Sequence, residues 1–101
     1  MINGVLSLQH NFWVKSSSIP MDANATYRIT VGNLNGTIDI GISSHWNGLL
    51  LTKIILTGNG ESVSFNYIHH NPWAFTEQPV IIDIIGVGNS ALSSITIERQ
   101  L

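Results

Sequence analysis

Strict alternation of apolar and polar residues marks four segments of this 101-residue chain, and it limits the possible folds more than any other sequence feature. The segments are 25–31, 37–43, 61–67 and 94–98. Successive side chains of a β-strand point to opposite faces, so a period of two buries one face and leaves the other in solvent. The alternation predicts four half-buried strands.

Two other segments, 49–56 and 80–85, are nearly continuous apolar runs, and residues 5–8 fit a short first strand. Continuous runs are typical of strands covered on both faces, either inside a sandwich or where subunits meet. Gly and Asn separate the segments, and 57–61 is short enough to close a hairpin. About seven strands without a convincing helix predict one domain, 1–101: an all-β, antiparallel β-sandwich that is jelly-roll-like.

Charge is scarce in this sequence. Only 10% of residues are charged and the mean hydropathy is +0.23, whereas a typical soluble domain has about 25% charged residues. A small domain has much surface for its volume, and surplus apolar surface is commonly covered by another chain. We therefore expect self-association into a homo-oligomer. The alternative is a monomer with a neutral surface of Asn, Ser and Thr.

The same composition excludes several partners and sites. The four basic residues stand singly in a chain of net charge -2, whereas nucleic-acid binding needs clustered Lys and Arg. No apolar run approaches the roughly 20 residues that span a bilayer, so we expect no membrane insertion. Cysteine is absent, which removes disulfides and thiolate zinc sites. The N-terminus has no signal-peptide pattern, and both a cytoplasmic product and a fragment of a longer protein remain open.

Histidine and tryptophan occur together. All three tryptophans stand within three residues of a histidine, and two of the clusters lie at predicted strand connections. An indole stacks on the C–H face of a sugar ring, while Asn amides and His nitrogens make directional hydrogen bonds to hydroxyl groups. The pattern predicts a glycan site in which two tryptophans stack and four neighbours make hydrogen bonds: Trp46 and Trp73, with His45, Asn47, His70 and Asn71.

Trp13 has two interpretations. It belongs to the motif His10-Asn-Phe-Trp13, which shares the pattern His-Asn-x-Trp with residues 70–73. However, Phe12 and Val14 flank it as they would in a strand, and Trp is mostly a buried residue. Trp13 is therefore either a binding residue or a core residue, and the same structural alternative applies to Trp46 and Trp73 as plugs at the ends of the sandwich.

The sequence gives little support for catalysis, a metal or another cofactor. Adjacent strand residues such as His69 and His70 point to opposite faces, so they rarely bind one ion. Asp39 and Asp83 could form a glycosidase carboxylate pair, but their alternation with isoleucines favours the outer face of a sheet. The chain has no Gly-x-Ser-x-Gly nucleophile motif. We expect a non-enzymatic domain without metal or cofactor.

The order of segments from Tyr27 to Leu101 resembles that of the C-terminal receptor-binding domains of bacteriophage tail fibres and tailspikes. The matching features are the early Tyr27-Arg28-Ile29 strand, the alternating strand at 37–43, an apolar middle strand and a closing strand at 94–99. The resemblance implies a trimeric β-sandwich or jelly roll on a virion tail or extracellular surface, which binds surface polysaccharide or locks the trimer. It carries no motif by which a residue role could be transferred.

The function expected from these observations is a lectin-like, carbohydrate-binding receptor-recognition domain whose partner is a cell-surface glycan. One alternative is an assembly module of a fibre or capsid without a ligand, in which 49–56 and 80–85 form the contact and the tryptophans are core. A second is an accessory binding domain of a polysaccharide hydrolase.

Overall fold

The computed structural model describes residues 6–8, 13–22, 24–45, 48–69 and 79–100. These residues form eight strands: β1 (Leu6–Leu8), β2 (Trp13–Lys15), β3 (Thr26–Gly32), β4 (Asn35–Ser44), β5 (Leu50–Asn59), β6 (Val63–Ile68), β7 (Val80–Leu92) and β8 (Ser94–Gln100). They contain no helix, and therefore no helix that could cross a membrane. The all-β prediction is confirmed.

The strands form two antiparallel sheets, which confirms the predicted sandwich. The larger sheet has the order β1-β7-β4-β5, and β2 also pairs with β7; the smaller sheet has the order β6-β3-β8. The structure has one strand more than the roughly seven predicted. The two short strands, β1 and β2, both pair with β7 at one edge of the larger sheet. Leu6 lies opposite Leu92 and Trp13 lies opposite Ile85, so both strands pair with β7 in the same register.

Three connections cross between the sheets at one end of the sandwich: 33–34, 60–62 and Ser93. The predicted hairpin at 57–61 is therefore wrong, since β5 pairs with β4 and β6 pairs with β3. The physical reason is Leu34. Its carbonyl accepts a hydrogen bond from the Gly60 N–H at 2.7 Å, and its own N–H donates to the Glu61 carbonyl at 2.9 Å, so the chain turns towards the second sheet.

The core lies between the sheets and follows the alternation of the sequence. On β4 the inward residues Ile38, Ile40 and Ile42 are fully buried, and on β7 the residues Val80, Ile82 and Ile84 are buried. Each such side chain contributes about 1.5–3 kcal/mol by leaving water. The continuous run at 80–85 predicts a strand covered on both faces, but its alternate residues Ile81, Asp83 and Ile85 are only half-buried, because none of the described strands forms a second layer over the outside of the sheet.

A polar pair lies inside the smaller sheet. The Tyr67 hydroxyl lies 2.9 Å from Nδ1 of His69, and both residues are buried. Burial raises the pKa of Tyr67 to about 12, because desolvation disfavours the phenolate. His69 is therefore an interior hydrogen-bonding residue. In the described part of the chain, no group of three His, Asp or Glu side chains is arranged to hold a metal.

One side of the sandwich is open between the strands that the structure describes. A cleft of about 320 Å³ separates β8 from β2 and β7, and its lining is mostly apolar: Val14, Ile19, Ile82, Ile84, Leu92, Ile95 and Ile97, with Lys15 and Ser16. Among the described strands β8 pairs with β3 alone. Ile95 and Ile97 are only half-buried, because β8 has this one strand neighbour and borders the cleft.

Candidate functional site

The outward side of the larger sheet combines an indole, two carboxylates and two ammonium groups. The strand register arranges them in two neighbouring rows that run across the strands. One row reads Trp13, Ile85, Asp39, Ile55, and the next reads Lys15, Asp83, Gly41, Lys53. We call these eight residues the outer face.

Trp13 projects from the outer face into solvent. Its side chain is 57% exposed, and Nζ of Lys15 lies 5.0 Å from the centroid of its ring. An ammonium group at that distance is attracted by the negative face of the indole. The interpretation of Trp13 as a core residue is therefore wrong: Val14 carries the inward position on β2, and Trp13 and Lys15 take the outward positions.

A shallow pocket of about 280 Å³ lies between β2 and β7 and is lined by Trp13, Lys15, Asp83 and Ile85. This volume is close to the lower limit for small-molecule sites, which is about 300 Å³. The pocket has an apolar wall of indole and isoleucine beside a carboxylate and an ammonium group. Such a mixture suits a small ligand that has one apolar face and several hydroxyl groups.

Asp39 and Asp83 lie on the outer face, as their alternation with isoleucines predicted. Oδ2 of Asp39 forms an ion pair with Nζ of Lys53, at a distance of 3.1 Å. Oδ1 of each aspartate is buried and has no hydrogen-bond partner among the described residues. A buried acceptor without a donor costs about 1–3 kcal/mol. The outer face therefore has more acceptors than its own donors satisfy.

The predicted loop site falls mostly outside the described residues. Trp46, Asn47, His70, Asn71 and Trp73 all lie there, so their role in binding stays a prediction.

His45 is described. It is exposed and follows β4, and its backbone N–H donates to the carbonyl of Pro79 at 3.0 Å. Its neighbour in the turn, Ser44, accepts a hydrogen bond from the N–H of Gly48 at 2.9 Å. The turn after β4 is thus joined to the start of β7, at the end of the sandwich opposite the three crossing connections.

Sequence reasoning missed the outer face as a site because its members are far apart in the chain. Lys15, Asp39 and Asp83 come from three different strands, and only their registers bring them together. A local signal was present at 13–15, where Trp and Lys alternate with Val. That signal gives two residues on one face of a strand, but not the carboxylates opposite them.

Comparison with models of known protein families, with curated proteins and with solved structures gave no match. The likeness to tail-fibre domains therefore stays a prediction from the order of segments.

Proposed function

We propose that this domain is a lectin-like, non-catalytic receptor-recognition domain that binds a cell-surface glycan on its outer face. The observation that carries the proposal is the exposed indole of Trp13, which stands at a pocket shared with Asp83 and Lys15. A binding role suits its exposure, since Trp is usually buried for most of its surface.

The chemistry of the pocket fits a sugar ring. The indole offers a flat apolar surface for the C–H face of a pyranose, and the carboxylate of Asp83 accepts hydrogen bonds from hydroxyl groups. Lys15 supplies a donor from the same strand as the indole. The sheet beneath holds these side chains on two paired strands, β2 and β7, so little conformational entropy is lost when a ligand binds.

The wider setting is part of the proposal. A charge-poor sandwich that binds glycans suits a virion tail or another extracellular surface. The loop contacts predicted from the sequence, Trp46 and Trp73 with His45, Asn47, His70 and Asn71, are a second proposed glycan-contacting region.

The test is glycan-array binding followed by calorimetry on wild type, Trp13→Ala and Trp13→Phe. We expect Trp13→Ala to weaken binding by about tenfold or more, which corresponds to about 1.4 kcal/mol, and Trp13→Phe to retain part of the affinity. Thermal melting of each variant serves as the folding control. A folded Trp13→Ala protein with unchanged affinity, or a wild type that binds no glycan, would contradict the proposal.

Separate variants at Trp46 and Trp73 test the loop prediction. If both alanine variants bind as the wild type does while Trp13→Ala does not, binding belongs to the outer face alone. If the loop variants lose binding and Trp13→Ala does not, the glycan site lies at the predicted loop residues and not on the outer face.

A second function, assembly into a homotrimer, is favoured by exposed apolar side chains on β5 and at the residue that precedes it. Leu49, Leu50 and Ile55 are each more than half exposed, and β5 has one strand neighbour, β4, among the described strands. A sister copy that covered Ile55 would also cover part of the outer face, so the two functions compete for surface. Sedimentation of wild type and Ile55→Asp separates them: a trimer that the aspartate dissociates favours assembly through this face.

A further inference from the structure

We infer that the ligand of the outer face is a linear, uncharged oligosaccharide that lies across the strands from Trp13 to Ile55. The inference rests on the proposed function and adds the length, direction and charge class of the ligand. It depends on how the strand registers align side chains, and on which charges of the face are already paired.

The direction follows from one row of the outer face. Trp13, Ile85, Asp39 and Ile55 lie opposite one another on β2, β7, β4 and β5. Neighbouring strands are about 4.8 Å apart, so the row is about 14 Å long. Its two ends are exposed and apolar, since Trp13 is 57% and Ile55 is 64% exposed.

The length follows from the limited pocket. Among the described residues, the space of about 280 Å³ beside Trp13 is lined by the strands β2 and β7 alone, whereas the row continues over β4 to β5. A single sugar ring in the pocket cannot reach Ile55. A ligand of several units covers the acceptor in the middle of the row, Asp39, and the apolar end at β5.

The charge class follows from the pairing of the four ionic side chains. Lys53 is paired with Asp39, and the ammonium of Lys15 lies over the ring of Trp13. The two aspartates and the two lysines of the outer face sum to no net charge. The face therefore has no excess positive charge that would attract an acidic glycan, whereas a neutral ligand matches its charge balance.

The experiment is calorimetric titration of the full chain with two sets of oligosaccharides, each of one to four units. The first set is neutral and is built from glucose, galactose, mannose or N-acetylglucosamine; the second consists of oligogalacturonates. We expect at least one neutral series to gain about tenfold or more in affinity between one and four units, with the galacturonates weaker at every length. An acidic best ligand, or a tetrasaccharide no tighter than its monosaccharide, would overturn the inference.

A matched pair of variants tests the far end of the row. Ile55→Ser should lower the affinity for the tetrasaccharide by about fivefold and leave the monosaccharide unchanged, since only the longer ligand reaches β5. Ile68→Ser is the control, because Ile68 is 63% exposed but lies on β6 in the other sheet. Equal effects of the two serine variants would overturn the proposed direction.

The outcomes separate this inference from the proposed function. Binding that depends on Trp13 but not on ligand length or Ile55 keeps the glycan site and removes the extended ligand. The absence of binding to every sugar removes both. If Ile55→Ser lowers the solution mass of the protein, the row is covered by a second copy of the chain and the inference is wrong.

Discussion

The two faces of the larger sheet are both rich in isoleucine, yet the inner face is the more deeply buried of the two. Ile40 on the inner face of β4 is fully buried, with Ile54 and Ile84 opposite it, whereas Ile55 on the outer face of β5 is 64% exposed. The smaller sheet covers the inner face, and no described layer covers the outer one. Apolar content alone therefore does not identify a core, and the face that keeps Trp, Asp and Lys beside its isoleucines is the one available for binding.

The largest difference between the faces is expected from truncation of one isoleucine on each. Ile40→Ala should lower the free energy of unfolding by about 2–5 kcal/mol, because it removes a buried side chain and leaves a cavity. Ile55→Ala should change it by no more than about 0.5 kcal/mol. Urea denaturation of both variants measures this, and a cost at Ile55 that approaches the cost at Ile40 would mean that the outer face is covered in solution.

A smaller difference is expected from adding a methyl group to a glycine of each face. At Gly58, which is buried, a Cβ atom would lie 2.6 Å from the Leu34 carbonyl oxygen, so the backbone of the crossing connection must shift. Gly58→Ala should destabilise the fold by about 1–3 kcal/mol.

Gly41 is the matched glycine on the outer face. Its Cβ would make an ordinary contact with Leu50 at 3.5 Å, and neither glycine has positive φ. Gly41→Ala should stabilise the fold by about 0.4–1 kcal/mol, because alanine restricts the unfolded chain. Thermal melting of the pair gives both values. Equal changes in melting temperature for the two variants would show that the close approach of the Leu34 carbonyl does not limit the packing at Gly58.

The smallest effect is expected from the polar pair of the interior. Tyr67→Phe removes the hydrogen bond to His69 and should cost about 1 kcal/mol at neutral pH. Desolvation raises the pKa of Tyr67 from 10.0 to about 12, so in the folded state this hydroxyl keeps its proton where the unfolded chain has lost it. Its contribution is complete below pH 10 and is lost as the pH rises towards 12.

The free energy of unfolding measured by urea between pH 9 and 12 tests this linkage. The wild type should lose stability over that interval, and the Phe variant should lose less. Parallel curves for the two proteins would show that other groups account for the alkaline loss.

The alternation of residues predicted much of the fold. Strands β3, β4, β6 and β8 coincide with the four alternating segments within a few residues, since the period of two reports directly which side chains share a face. The outward position of Asp39 and Asp83 followed from the same period. The hairpin at 57–61 failed because a turn sequence reports that the chain reverses, but not which strand it then pairs with.

The candidate site was less predictable than the fold. Clustering of tryptophan with histidine suggested a glycan-binding domain and pointed to loop tryptophans whose role stays a prediction. The outer face combines Trp13 with Asp83 across 70 positions of the chain. A local sequence pattern cannot show that two residues so far apart in the chain are neighbours. They meet because β2 pairs with β7 in one register.

By itself, the sequence determined that this protein is built of strands and which side chains of each strand share a face, because both properties depend on a few neighbouring residues. Only the tertiary structure decided which of the two faces became the core, which strands became neighbours, and that Trp13 lies in solvent beside Asp83. Those outcomes depend on hydrogen-bond registers between distant segments and on the second sheet that covers one side, and both are set by packing over the whole chain.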